Sequence, residues 1–141
     1  MQTLTAPRIS VRAIMRTRSG EICLIRRVKA GDEYWTTPGG GVEDGESHSQ
    51  ALIREMREET GAQIERISPQ PVCELRSPTQ IQLFFTCYET ERGAPTGAEH
   101  LRSSPDNLFE VCYVPITQLS QLKLVPAEVK AQIITAALAL E

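Results

Sequence analysis

Three glutamates, Glu55, Glu58 and Glu59, crowd into one short segment of this chain, with Arg54 directly before them. On a helical wheel at about 100° per residue, with Glu55 at zero, Glu58 falls near −60° and Glu59 near +40°. The three carboxylates then share an arc of roughly 100°. Leu52, Met56 and Thr60 form the adjacent packing stripe, and Ala51 leaves room within the acidic sector. A solvated acidic face is the ordinary meaning of such a helix, but this one breaks two local rules. Glu55 and Glu59 are like charges at i,i+4, which costs roughly 0.2–0.5 kcal/mol. Glu58 and Glu59 sit at the negative end of the macrodipole, at about 0.3–1 kcal/mol each. No Lys lies four residues on to relieve either one. Rules broken without local compensation mark functional sites, and the compensation expected here is a cation. Carboxylates at i, i+3 and i+4 suit a hard divalent ion such as Mg²⁺, which binds oxygen ligands and bridges to phosphates. Soft metals are disfavoured, because no His or Cys lies in the segment at ligand spacing. His48 and His100 read as surface residues.

The helix that must carry these acids is bounded by its own chemistry. Ser47 is a good N-cap and Gln50 completes a capping-box pattern. Gly61 suits the left-handed position past the end. The spacing therefore predicts a helix over Ser47–Thr60. Before it stands Gly39-Gly40-Gly41. No Gly-Lys-Ser/Thr follows, so this is not a P-loop. The spacing of Gly39, Gly41 and Gly45 is also wrong for a dinucleotide fingerprint. Glycine does let a backbone approach a ligand, so a carbonyl here could reach the same metal as the acids. Glu46 lies at the helix entrance, where negative charge is favoured; a structural role suits it at least as well as a catalytic one.

The remaining elements follow from alternation and breakers. Arg8–Arg16 and Glu21–Val28 read as a β-hairpin around Arg18-Ser19-Gly20. Tyr34–Pro38 is a short extended piece feeding the glycines. Strand fragments lie between Ala62 and Leu75, interrupted at Pro69 and Pro71. In Ile81–Glu91, residues Ile81, Leu83, Phe85 and Cys87 point one way. Arg92–Asn107 is a long loop, Leu108–Ile116 another strand, and Pro126–Leu140 a closing helix with Val129, Ile133, Ala136 and Leu140 along one side. A mixed sheet with a helix on each face accommodates this order.

Composition sets outer bounds. The 141 residues favour one domain, spanning 1–141. A formal net charge of −3 makes duplex nucleic acid a poor partner, while leaving small anions open. Cys23, Cys73, Cys87 and Cys112 form no C-x-x-C and sit among apolar or β-branched residues, as buried thiols do. A reducing, cytoplasmic setting fits. The opening residues MQTLTAPRIS lack the apolar core of a signal peptide. No run approaches the roughly 18 apolar residues of a membrane span.

Gly40, five residues, Glu46, seven residues, then Arg54-Glu55-Met56-Arg57-Glu58-Glu59-Thr60-Gly61-Ala62: this segment resembles the Nudix box, G-x5-E-x7-R-E-U-x-E-E-x-G-U, where U is a bulky aliphatic. All seven fixed letters fit over 23 residues. Ala62 is smaller than the usual last aliphatic, and Ile64 is placed to take over its contact. The preceding Tyr34–Gly40 also looks like the strand entering such a box. The resemblance implies an α/β/α sandwich around a mixed sheet, with the box as loop–helix–loop. It also implies hydrolysis of a nucleoside diphosphate linked to another moiety, X. It implies Mg²⁺, with Mn²⁺ as a substitute, held by Glu55, Glu58 and Glu59 and the Gly40 carbonyl. Arg54 would hold carboxylates through its rigid fork, and Glu46 would steady the loop through Arg54. The general base is left among Glu55, Glu58 and a residue outside the box.

Outside the box, Glu110 resembles the later acid that some Nudix enzymes bring to the metal, with Glu99 as its rival. Arg26, Arg27 and Lys29 form a basic patch. One of the two arginines should face the site, where a bidentate guanidinium suits phosphate. Gly39 and Tyr113 join them as candidate substrate contacts, although Tyr34, Trp35 and Tyr113 serve a core short of aromatics equally well. The substrate expected for so short a chain is an ordinary or oxidised nucleoside triphosphate. Dinucleoside polyphosphates, ADP-ribose and nucleotide sugars come second. A nucleotide-sensing domain without turnover is the alternative of another class; it would be free to lose the acids that this chain keeps. The isomerase branch of the superfamily needs segments that are not found here. A homodimer is left open.

Overall fold

The computed structural model describes residues 6–97 and 103–140. Its first strand, β1 (Arg8–Arg16), shows how the molecule is layered. Val11, Ala13 and Met15 are fully buried in one apolar cluster, and Ile14 in another. Successive side chains of a strand point to opposite faces, so β1 is a wall shared by two cores.

Strand β2 (Glu21–Lys29) follows, then β3 (Asp32–Thr36) and β4 (Gly39–Gly41). Helix α1 (His48–Thr60) leads to β5 (Ala62–Glu65), β6 (Cys73–Arg76), β7 (Gln80–Arg92) and β8 (Asn107–Pro115). A 3-10 segment, Ile116–Gln121, and a short 3-10 turn, Ala127–Val129, precede α2 (Lys130–Leu138). The strands form one mixed sheet, ordered β3-β2-β1-β7-β5. β4 also pairs with β1, β6 with β7 and β8 with β2. β1 and β7 run parallel in unbroken register from Arg8↔Gln80 to Arg16↔Tyr88.

One face carries α1. Ala51, Leu52 and Met56 pack there on Val11, Ala13, Met15, Cys23, Leu83, Phe85 and Cys87. The other face carries α2, whose Ile133 and Ala137 meet Ile14, Ile22, Leu24 and Phe84, with Leu119, Leu124 and Val129 completing the layer. This is the expected α/β/α sandwich, and the stripe Leu83, Phe85, Cys87 lies on the α1 side. All four cysteines are free thiols, with Cys23 and Cys87 buried. Among the described residues, no helix is long and apolar enough to cross a membrane.

Two expectations need correction. The first two strands do not run together as a hairpin. They pair at Arg16↔Ile22 beside the turn and then splay. β3 takes the edge of β2 from Ile25 to Lys29, and β4 takes the edge of β1 from Ser10 to Arg12. The link Thr37-Pro38 crosses the gap and accepts a hydrogen bond from the Ala13 N–H through the Pro38 carbonyl, at 2.8 Å. The closing helix also starts later than Pro126. The chain up to Val125 is pinned alongside β3 by the bonds Trp35 N–H to Lys123 O and Val125 N–H to Trp35 O, both 2.9 Å. Without a side-chain cap, the first turn after Pro126 is a 3-10 turn, and α-helical geometry begins at Lys130.

Candidate active site

Helix α1 is fixed at both ends as its sequence requires. The Ser47 hydroxyl accepts from the Gln50 N–H at 3.1 Å, and the Gln50 side chain accepts from the Ser47 N–H at 2.9 Å. This is a complete capping box, whose N-cap contributes about 1 kcal/mol. Gly61 closes the helix at φ 78°, in the left-handed region. The Thr96 and Gly97 N–H groups reach back to the Glu58 carbonyl at 3.0 and 2.7 Å, satisfying a helix-end acceptor.

Arg54 organises the acids. Its Nε and Nη2 donate to the two oxygens of Glu46 at 2.8 and 2.9 Å. Its Nη1 donates to Glu55 at 3.0 Å and Glu58 at 3.3 Å, and Nη2 also reaches the Gly41 carbonyl at 3.0 Å. Glu46 further accepts from the Glu43 N–H at 2.9 Å. These bonds, those from Arg54 first, bring the Glu46 carboxyl down to about 2. The charge of Arg54 is correspondingly reinforced. The chain thus supplies part of the compensation that the isolated helix pattern lacks: Arg54 relieves Glu58 from four residues before it. Glu59 is buried, with 8% of its surface exposed.

The glycines have different jobs. A Cβ on Gly40 would lie 2.6 Å from both Glu55 carboxylate oxygens, so that carboxylate rests directly against the loop backbone. Gly39, by contrast, has φ 150°, and a side chain there would strike the Val11 carbonyl. Its lack of a side chain is accounted for by close packing on β1.

Strand parity sorts the residues outside the box. Arg27 pairs with Phe109, and Tyr113 pairs with Cys23, on the α1 face. Arg26 pairs with both Trp35 and Glu110, and Trp35 packs in the α2 layer. Arg26 and Glu110 therefore lie on the sheet face opposite the acidic helix. There Arg26 bonds Glu33 at 2.8 Å and faces Glu110 at 3.6 Å. The structure does not bring Glu110 to the other acids. Its rival Glu99, like His100, lies outside the described residues. His48 is exposed, as its sequence position suggests. Arg27 donates to Asn107 Oδ1 at 2.7 Å and to the Leu108 carbonyl at 3.1 Å.

The α1 face holds one acid that the sequence reading passed over. Glu89, its side chain 2% exposed, accepts both arms of the Arg92 fork at 2.8 and 3.0 Å and the Arg18 N–H at 3.2 Å. Burial pushes its pKa up, but these three bonds outweigh burial and leave it lowered. Arg92 also stacks 3.6 Å over the Tyr113 ring. The buried Cys23 thiol is pushed up first by burial, then by the charges of Glu89 and Glu59, which places both acids near it. Extending the stripe Leu83, Phe85, Cys87 by one step would have found Glu89.

Among the described residues, no three Asp, Glu, His or Cys side chains converge into a ready-made ion site. The donors still fit a hard divalent cation. They are all oxygens, three on one helix arc, and the Gly40 backbone lies against Glu55 with no side chain between them.

This sandwich, with a capped acidic helix locked to a glycine loop by one arginine, is the architecture of the Nudix proteins. The family model described as NUDIX domain matches residues 6–136, and the chain belongs to that family. An RNA pyrophosphohydrolase of Orientia tsutsugamushi (strain Boryong) is 39% identical over 54 residues, which cover 38% of this chain and only 34% of that relative. Among solved structures, a NUDIX-family hydrolase from Clostridium perfringens superposes with TM-score 0.70 at 15% identity, covering 97% of this chain and 100% of that one. MutT from Methanosarcina mazei Go1 superposes with TM-score 0.64 at 22% identity, covering 98% and 100%. At these identities the two structural likenesses bear on the fold alone.

Proposed function

We propose that this chain is a pyrophosphohydrolase that cleaves a phosphoric anhydride in a nucleoside diphosphate linked to X. The observation carrying this reading is Arg54 gripping Glu46, Glu55 and Glu58 at once while Glu55 rests on Gly40. Only a function of the acids accounts for collecting them where the helix end disfavours them. Glu55, Glu58 and Glu59, with the Gly40 carbonyl, would hold Mg²⁺, or Mn²⁺ in its place. When bound, such an ion neutralises phosphoryl oxygens and lowers the pKa of a bound water.

The chain's own residues do the rest. Arg54 fixes the carboxylates so that their oxygens need not reorganise during reaction. A carboxylate oxygen of Glu55 or Glu58 takes the proton from the attacking water. Glu46 holds Arg54, and through it the loop. Arg27 and Tyr113, on the α1 face of the sheet, would serve as phosphate and substrate contacts along with the Gly39 backbone, whereas Arg26 and Glu110 lie on the opposite face. Nucleoside triphosphates, ordinary or oxidised, are the substrate class proposed first; dinucleoside polyphosphates, ADP-ribose and nucleotide sugars come second.

The test is a hydrolysis panel with Mg²⁺ and Mn²⁺, its products resolved by chromatography. RNA is included because the aligned relative is called an RNA pyrophosphohydrolase. Turnover should vanish with a chelator and fall by orders of magnitude in Glu58→Gln. Turnover indifferent to both changes overturns the reading.

A further inference from the structure

On the sheet face opposite the acidic helix, a cleft of about 280 Å³ is lined by Arg12, Thr36, Thr37, Gln82, Val125 and Pro126. Parity puts Arg12 and Gln82 on this face. Arg12 pairs with Phe84 and Ser10 with Gln82, while Phe84 and Ile14 belong to the α2 layer.

The charge of this cleft is one-sided. Among the described residues, Arg12 is its only ionic lining residue, and no carboxylate lines it. A guanidinium has five N–H donors. Arg12 uses one of them, in a long 3.4 Å bond to the Thr37 carbonyl, and among the described residues it forms no ion pair. Arg26, Arg54 and Arg92, by contrast, each hold a carboxylate. Around Arg12 stand two threonines and the Gln82 amide, which can donate or turn to suit a ligand oxygen. Among the described residues, no aromatic ring lines the cleft to stack on a base.

The cleft also has a covalent link to the acidic site. Thr36 and Thr37 line it, and Gly40, three residues beyond Thr37, lies against Glu55. Three extended residues span at most about 10 Å. The splayed gap between β1 and β2 is where this strip crosses from the edge of β2 to the edge of β1.

We propose that this cleft is an anion site, in which Arg12 with the Thr37 hydroxyl and the Gln82 amide binds a phosphate-like oxyanion. The anion has two sources. It is a charged group on X, reaching over from a diphosphate held at the acidic helix, or it is a separate free anion acting on the enzyme. The first source rests on the hydrolase reading above; the site itself does not.

Inorganic phosphate is the probe. It is titrated into the whole protein without nucleotide or divalent metal, following the backbone amide signals of Thr36, Thr37 and Gln82 by NMR. Saturable shifts are expected in wild type. Affinity should be weaker by at least about tenfold in Arg12→Gln, the loss expected of a charge-assisted hydrogen bond, and largely kept in Arg12→Lys. Gln82→Ala, which leaves the cation in place, should weaken binding less, and thermal melts check that each variant folds. No saturable shift in wild type, or equal affinity in wild type and Arg12→Gln, overturns the site.

Kinetics then separates the sources. If the anion belongs to the substrate, Arg12→Gln raises KM for nucleotides whose X carries a phosphate and leaves KM for neutral X unchanged, with phosphate competing. If it is a free effector, phosphate changes turnover of both kinds without competing, and that effect disappears in Arg12→Gln. Because the titration needs no turnover, its failure is distinct from failure of the hydrolase reading, which Glu58→Gln reports.

Discussion

The carboxylate of Glu55 lies against Gly40 so closely that a single methyl group there would fall 2.6 Å from each of its oxygens. Gly40 does not adopt a positive φ, so alanine suits its backbone and harms only this contact. Gly40→Ala should push Glu55 off the loop and lower kcat by roughly 10–100-fold, the scale of a misplacement near 1 Å. Circular dichroism should show the fold retained. Wild-type kcat with the methyl group in place would contradict the role given to this contact.

Arg54→Lys keeps the charge and loses the fork. Lysine cannot bond Glu46 through two nitrogens while also reaching Glu55, Glu58 and the Gly41 carbonyl. The expected result is a fall in kcat of about tenfold or more, with a stability loss near 1 kcal/mol. Denaturant titration and steady-state kinetics on one preparation separate the two effects.

Glu46 gives a pH prediction with a definite sign. Its carboxyl moves from an ordinary 4.5 to about 2 in the folded chain, chiefly through Arg54. A lowered folded value means stability that is fully present above the ordinary value and lost as pH falls through the folded one. The stability difference between wild type and Glu46→Gln should therefore be constant above about pH 5 and shrink toward pH 2. Thermal melts of both proteins across that window check it, and a difference that grows on acidification would refute the sign.

Arg92→Ala should destabilise strongly although Arg92 is half-exposed, because it leaves the Glu89 carboxylate buried without its main partner. Breaking such a pair from one side costs about 3 kcal/mol. Removing both charges in Arg92→Ala/Glu89→Gln should cost less than the sum of the single changes, since the stranded charge is gone. Strict additivity in urea unfolding would show that the two side chains do not act as a unit.

What could be read before any coordinates differed by element for physical reasons. Helix α1 was legible to within a residue because Ser47, Gln50 and Gly61 specify its ends through local hydrogen bonds. Its acids were legible because angular spacing on a helix needs no knowledge of neighbours. The face of Glu110 was not, because the alternation of β8 says which residues go together without saying which face meets which helix. Only its register with Cys23 and Trp35, through β2, decides that. The splaying of β1 from β2 was hidden too: β3 and β4 compete for the same edges, and that competition is settled in three dimensions. Nothing in the alternation of β1 singles out Arg12, because Val125 and Pro126, which help wall its cleft, come from far along the chain.

The odd and even positions of β1 serve two cores that never mix, with Val11, Ala13 and Met15 under one helix and Ile14 under the other. Inheritance is therefore free to rewrite individual letters of this strand, but not their count. Losing or gaining a single codon there would trade the furnishings of both rooms at once, turning the Arg12 cation toward Leu52 and Met56 and leaving its own cleft to an apolar neighbour. Among descendants of this gene, length variation should accordingly collect in the turn at Arg18-Ser19-Gly20 and stay out of the strand before it.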